Sequence, residues 1–178
     1  FGFNQTNSFF DSTLLNLTTG YYMNEEWAIE LNYNVYSNST NETYKSLGDV
    51  NKSIPFSRQL LKSYGAMAIW SPFYGKVNTF NKIFYFNWNI AAGFSKISVE
   101  SNKDTAASDN SQNMYAKENH LGFSVKTGLK FHATKKVHFG IDLQILYYQA
   151  PGVVIAEVTS NDKWRSNTDL VFSIGFSF

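Results

Sequence analysis

The sequence predicts an all-β fold, an eight-stranded antiparallel transmembrane β-barrel whose strands form an up-and-down meander. Three observations predict it. Apolar and small polar residues alternate with a period of two over most of the chain, as in β-strands. The last ten residues, Asp169 to Phe178, alternate strictly and end on an aromatic residue. Ionised residues inside these stretches fall on the small polar face, and the length indicates one domain, 1–178.

Four strands are predicted in the first half of the chain. Phe1 to Asn4 is interpreted as the upper end of a first strand, and whether residues precede Phe1 is left open. Ser12 to Met23 and Trp27 to Ser37 alternate strictly and are separated by a three-residue turn, so they are predicted to form a hairpin. The fourth strand is Tyr64 to Trp70, whose two faces are too similar to show which one points inward.

The segments on either side of the fourth strand are predicted to be irregular. Residues 38–62 are rich in Ser, Asn and Thr, and within them Ile54 to Lys62 has a proline near its start and apolar residues spaced as on a short helix. We interpret this segment as a helical turn that caps a loop, with a binding element as the alternative. A proline and a glycine after Trp70 predict a turn from Ser71 to Lys76.

The second half of the chain supplies the remaining four strands. They cover Ile83 to Ser95, His120 to Phe131, Val137 to Tyr148 and Asp169 to Phe178. Short turns are predicted at one end of the meander, and three long loops, at residues 38–62, 101–118 and 150–167, at the other.

Side-chain volume and charge decide which faces meet lipid. An eight-stranded barrel is only just wide enough for its own side chains, and the apolar faces carry a large residue at nearly every position. These faces are therefore predicted to point outward, whereas Lys on the lipid face near the midplane would cost about 2–4 kcal/mol. The residues predicted to face lipid are Leu31, Phe84, Phe86, Trp88, Phe123, Phe139, Ile141, Leu143, Phe172, Ile174 and Phe176. The aromatic residues predicted at the membrane interfaces are Trp27, Trp70 and Tyr147.

Composition agrees with a membrane protein and excludes several functions. Charged residues make up 16% of the chain and aromatic residues 17%, whereas roughly 25% charged residues are typical of soluble domains. The mean hydropathy of −0.28 is compatible with a barrel, because only every second residue faces lipid. A net charge of +1 gives no attraction to nucleic acid, and the absence of cysteine excludes disulfides and thiolate metal sites.

Two segments resemble known outer-membrane proteins. The closing strand resembles that of bacterial outer-membrane barrels, which implies that the insertion machinery reads Phe176 and Phe178 and that no domain follows. The run Trp-Ser-Pro-Phe-Tyr-Gly-Lys from Trp70 to Lys76 resembles the Trp-x-Pro-x-Tyr-Gly-Lys turn of a family of small porin-like outer-membrane barrels in predatory bacteria and their relatives. This resemblance implies location in the bacterial outer membrane, and some family members are reported to form rings that trap lipid.

A lumen charge network is predicted from the inward faces. If the sixth and seventh strands pair about a turn centred on Thr134, Lys126 lies opposite Asp142 and Lys130 opposite His138. The predicted network comprises Glu30, Lys126, Lys130, Asp142 and His138. Its predicted role is to compensate buried charges and fix the register, and a proton path is the alternative.

No catalytic or metal-binding residues are predicted. His120 and Ser124 share a face but lie about 13 Å apart at ~3.3 Å per residue, too far for a nucleophile and its base. His132 and His138 flank a turn and lack a third ligand. We therefore expect the protein not to be an enzyme and not to need a cofactor. Bound lipid is the expected ligand.

Three functions are weighed. The leading one is a non-enzymatic structural protein that assembles with copies of itself, in a ring, and encloses or organises membrane lipid. The small residues Gly65, Ala66 and Ala68 would permit close packing between barrels. The second is an adhesin or receptor that acts through its loops, and the third is an outer-membrane lipid enzyme. Diffusion through one barrel is not expected, because eight strands leave no aqueous pore.

Overall fold

The described residues form ten strands, and eight of them form an up-and-down barrel. The computed structural model describes residues 1–7, 9–51, 55–79, 82–103, 115–152, 154–155, 158–159 and 161–177. The strands are β1 (Gly2–Asn4), β2 (Phe10–Tyr22), β3 (Trp27–Thr40), β4 (Arg58–Thr79), β5 (Lys82–Ser101), β6 (Ala116–His132), β7 (Val137–Ala150), β8 (Val154–Ile155), β9 (Val158–Thr159) and β10 (Lys163–Phe176). The barrel is closed in the order β1-β10-β7-β6-β5-β4-β3-β2, and β8 pairs with β9. The predicted eight-stranded antiparallel meander is therefore confirmed.

The strand register fixes the tilt of the barrel. Following paired residues once around the sheet from Trp27 leads back to β3 at Ser37, ten residues further along the strand. A stagger of this size over eight strands corresponds to a tilt of about 40° from the barrel axis. The short turns β2–β3, β4–β5 and β6–β7 lie at one end, called the inner end below, and the longer connections lie at the other, called the outer end.

Two local predictions around β4 are wrong. Arg58–Lys62 belongs to a strand, and the helix of this loop is α1 (Glu42–Asn51), which begins after Asn41, whose side chain accepts a hydrogen bond from the Tyr44 N–H at 3.1 Å. Ile54, the first residue of the predicted helical segment, lies outside the described residues. Within the described part of the chain, no helix has the length and apolar character needed to cross a bilayer.

The predicted turn from Ser71 to Lys76 is also part of β4. The strand continues to Thr79, and its ladder with β5 has a bulge between Trp70 and Phe73. Pro72 lies in this bulge, where its missing N–H breaks no ladder hydrogen bond. The proline therefore bends β4 without ending it, and the β4–β5 hairpin extends past the neighbouring β2–β3 turn.

Large apolar side chains cover the outside of the barrel. All residues predicted to face lipid lie on outward faces, and most are exposed. Phe84 and Phe86 are less exposed than the others and are half-buried. The Phe86 ring lies against Gly75 and its centroid is 5.9 Å from that of Phe131. An apolar exterior around a polar interior is the arrangement that a membrane-spanning barrel requires.

The outer half of the lumen contains an apolar plug that sequence reasoning missed. Leu14, Ile97, Val99, Leu146 and Ala150 are at most 1% exposed and belong to one buried cluster. Ile97, Val99 and Ala150 lie beyond the ends of the predicted strands, and a bulge in β4 turns Leu60 inward to join the same cluster. The plug fills space in which the sequence predicted only small polar side chains.

The first strand bridges its neighbours over a short length. β1 pairs with β2 and β10 along Gly2–Asn4, with one further pair of hydrogen bonds between Phe1 and Phe172. Towards the inner end, the described residues place no strand between β2 and β10. Thr18 and Gly20, which lie on the lumen side of β2, are consequently exposed.

Candidate functional site

The centre of the lumen contains an ion pair between opposite walls. Lys126 Nζ on β6 donates a hydrogen bond to Glu30 Oε1 on β3, and their side chains are 9% and 12% exposed. The charge of Asp142 on β7 interacts with both of them and with Lys130. Four predicted members of the lumen network thus lie in one electrostatic group.

The predicted register between β6 and β7 is wrong by two residues. Lys126 pairs with Gln144, and Asp142 pairs with Gly128, because the turn covers residues 133–136 and brings His132 opposite His138. Within this turn, the hydroxyl of Thr134 accepts hydrogen bonds from the N–H groups of Lys136 and Val137. A side chain at Gly128 would collide with the Asp142 carboxylate, so this glycine provides the space for it.

Lys130 contacts a tyrosine and not His138, its predicted partner. Its Nζ lies 3.3 Å from the hydroxyl oxygen of Tyr22 and 5.0 Å from the centre of that ring. The ring of His138 lies against Gly175 and its centroid is 6.2 Å from that of His132.

A buried carboxylate near the closure of the barrel was not recognised as a site residue. Asp169 on β10 is fully buried and accepts hydrogen bonds from the Tyr36 hydroxyl at 2.6 Å and the Asn4 amide at 2.7 Å. These partners lie on β3 and β1, so one carboxylate joins three strands. The signal in the sequence was an aspartate inside the alternating closing strand.

A second missed cluster closes the outer end around Glu118. Its carboxylate accepts hydrogen bonds from the Ser101 hydroxyl at 2.7 Å and from Arg58 at 3.3 Å, and it also contacts Lys103 at 3.2 Å and His120 at 3.0 Å. Burial acts to raise the pKa of Glu118, but the hydrogen bond from Ser101 and the charge of Arg58 outweigh burial and lower it. Glu118 was predicted to lie in a loop, but it lies on β6 opposite Val99.

The histidines and serines weighed as catalytic residues have other partners. His120 Nε2 contacts Glu118, and Ser124 Oγ lies 2.5 Å from Ser95 Oγ. His120 and Ser124 therefore form no dyad. Among the described residues, no group of three or more His, Cys, Asp or Glu side chains could hold a metal ion.

A large cavity opens at the inner end of the barrel. Its volume is about 1110 Å³, and it lies between the β2–β3 turn, the β4–β5 hairpin and the β6–β7 turn. Its lining includes Tyr22, Tyr74, Tyr85, Lys130 and His132. We call it the inner-mouth cavity.

Aromatic residues lie at both ends of the apolar exterior. Trp27 and Trp70 stack at the inner end, with ring centroids 6.1 Å apart and an interplanar angle of 22°. Tyr147 lies outward near the outer end of β7. Phe176 lies outward at the inner end, while Phe178, the other residue of the expected insertion signal, lies outside the described residues.

No family model matches the sequence, and no curated protein matches it. The crystal structure of Ail, the attachment invasion locus protein of Yersinia pestis, is similar over 99% of this chain and 94% of that chain, with a TM-score of 0.41 and 15% sequence identity.

Proposed function

We propose that this chain is a non-enzymatic barrel of the bacterial outer membrane that assembles with copies of itself and organises the lipid between them. The observation that carries the membrane location is the apolar exterior. Given the strand register and a rise of ~2.5 Å per residue at this tilt, the outward surface from Trp27 to Leu121 is roughly 25 Å tall. This height matches the apolar band of membrane barrels.

The distribution of charge supports the same proposal. Lys62 and Lys96 point outward near the outer edge of this band, where their long side chains can reach the interface. Glu30, Lys126 and Asp169 point into the lumen instead. A barrel in water would gain nothing from this separation, whereas a barrel in lipid depends on it.

Small outward side chains on β4 and β5 support self-assembly. Ala66 and Ala68 face outward, which resolves the facing of this strand, while Gly65 faces the lumen. Ala68 is paired with the exposed Ala92, and next to them Phe94 projects with 76% of its surface exposed. A second barrel can approach closely at small residues, which is how membrane-embedded segments pack without a hydrophobic driving force. The lipid enclosed between such barrels would be the bound ligand.

Counting barrels per particle tests this proposal. We expect native mass spectrometry and electron microscopy of the purified protein to show particles with several copies and co-purified phospholipid. Ala68→Trp should reduce the number of copies per particle. The control is Leu143→Trp, which places the same side chain on the outward face of β7. Monomers without phospholipid, or equal effects of the two variants, would contradict self-assembly through β4 and β5.

An adhesin or receptor is the second candidate. β5 and β6 remain paired up to Ser101 and Ala116, roughly 10 Å beyond the level of Tyr147, and the Glu118 cluster holds this raised rim together. Replacing residues 104–114 by a Gly-Ser linker should then abolish adhesion of expressing bacteria to cultured cells while the barrel still folds. Unchanged adhesion would exclude this loop as the binding element.

A further inference from the structure

The inner-mouth cavity is closed on its deep side. Above it lie the Glu30–Lys126 ion pair and then the apolar plug around Leu146. The cavity opens at the inner end of the barrel. Its volume of about 1110 Å³ is comparable with the roughly 300–1,000 Å³ typical of pockets that bind small ligands.

Lysine and histidine side chains converge on one wall of this cavity. Lys130 and His132 line it on β6, with Lys135 in the following turn. Lys130 forms no salt bridge among the described residues, and its contact with Tyr22 leaves the ammonium facing the cavity. The charge of Asp142 on the neighbouring strand interacts with that of Lys130.

The acidic residues that line the cavity are Glu25 and Glu26 in the β2–β3 turn. Strand β2 also carries Tyr22, which contacts the Lys130 ammonium. Both glutamates are exposed at the rim, so water screens them. An anionic group is therefore favoured beside Lys130, which is half-buried.

An aromatic wall adjoins the cationic one. Tyr74 and Tyr85 stack with ring centroids 5.6 Å apart at an angle of 14°, on the face of the β4–β5 hairpin that overhangs the cavity. They are 67% and 41% exposed, although this face continues the lumen side of the strands. Exposed rings beside hydroxyl and amide groups, here Ser71 and Asn87 among others, are suited to a ligand with an apolar face and polar edges.

We propose that the inner-mouth cavity binds a small acidic sugar, with its carboxylate at Lys130 and His132 and its ring against Tyr74 and Tyr85. Lys130 and His132 contribute the charge-assisted hydrogen bonds, which are the stronger part of the recognition. The tyrosines select a ring over a simple carboxylate ion. This site is independent of the proposed self-assembly, because it lies inside the barrel and not on its outer surface.

Titration of the full chain in detergent micelles with matched compounds tests the proposal. The probes are glucuronic acid, glucose, which has the same ring without the carboxylate, and acetate, which has the carboxylate without the ring. The readout is the ring resonances of His132 in NMR spectra. We expect glucuronic acid to shift them saturably, with at least about tenfold higher affinity than glucose or acetate. Equal affinity for glucose or for acetate, or no saturable shift with glucuronic acid, would overturn the proposal.

Substitutions assign the binding to the two walls. Lys130→Gln should weaken glucuronic acid binding about tenfold or more, and Tyr74→Ala should weaken it while leaving acetate binding unchanged. The controls are Lys62→Gln and Tyr64→Ala, which change the same residue types on the outward face of β4. Heat-dependent gel mobility confirms that each variant is folded. Loss of binding in the control variants, or undiminished binding in Lys130→Gln, would overturn the assignment of the site.

Discussion

Lys126 and Glu30 form an ion pair that joins opposite walls of the barrel, and the charge of Asp142 acts on the same ammonium group. Lys126 therefore interacts with two carboxylates in the centre of the lumen, and Lys130 also interacts with Asp142. Lys130, the next cation, is held nearer the inner mouth by Tyr22. Replacing Lys126 therefore affects two carboxylates, whereas replacing Glu30 removes only one of them.

Removing the cation should destabilise the barrel more than removing Glu30. Lys126→Met leaves Glu30 without its ion-pair partner and Asp142 with Lys130 alone, and we expect a loss of about 3–5 kcal/mol in the free energy of unfolding. Glu30→Gln leaves Lys126 beside Asp142, and we expect a smaller loss, about 1–3 kcal/mol. Urea unfolding in lipid vesicles, followed by tryptophan fluorescence, measures both. Combining Lys126→Met with Glu30→Met should recover part of the loss, and equal losses in the two single variants would contradict this account.

Lysine on the outer surface should destabilise the barrel according to its depth in the membrane. Leu143 lies outward near the middle of the apolar band, so Leu143→Lys should cost about 2–4 kcal/mol in vesicles. Leu121 lies at the outer edge, opposite Lys96, and Leu121→Lys should cost only ~0–1 kcal/mol. The same unfolding assay compares them. If both substitutions were equally tolerated, the apolar exterior would not be in contact with lipid.

Alternation and side-chain volume predicted most of the barrel, because both act over short stretches of sequence. Each barrel strand from Ser12 to Phe176 was located, whereas the short β8 and β9 lie in a predicted loop. The outward direction of residues such as Phe139 and Phe172 followed from the width of an eight-stranded lumen. The facing of β4 was not predictable from its own residues. Ala66 and Met67 differ too little in polarity, and the neighbouring strands decide which of them is buried.

The errors occurred where a single residue changes the register. Pro72 was interpreted as a turn because proline usually interrupts a ladder, but a bulge accommodates it. The β6–β7 register was misassigned by two residues, since the exact centre of a four-residue turn is set by hydrogen bonds such as those to Thr134. Clusters such as the one around Glu118 join residues from distant strands and loops, and alternation carries no information about such contacts.

The Glu118 cluster should make the outer rim sensitive to acid. The pKa of Glu118 is lower in the folded protein than in the unfolded chain, so the unfolded state binds the proton more readily. The stabilising contribution is thus complete above the ordinary glutamate pKa of about 4.3 and is lost as the pH falls through the folded value. The protection factors of the amides around Ser101 in hydrogen exchange, which correct for the intrinsic pH dependence of exchange, should fall below this pH.

The variant Glu118→Gln provides the control for this acid effect. It cannot titrate at this position, so the protection factors around Ser101 should already be low at pH 7 and should change little on acidification. Equal protection factors of the wild-type protein at pH 7 and pH 3.5 would show that the contacts of Glu118 with Arg58 and Lys103 do not hold the rim.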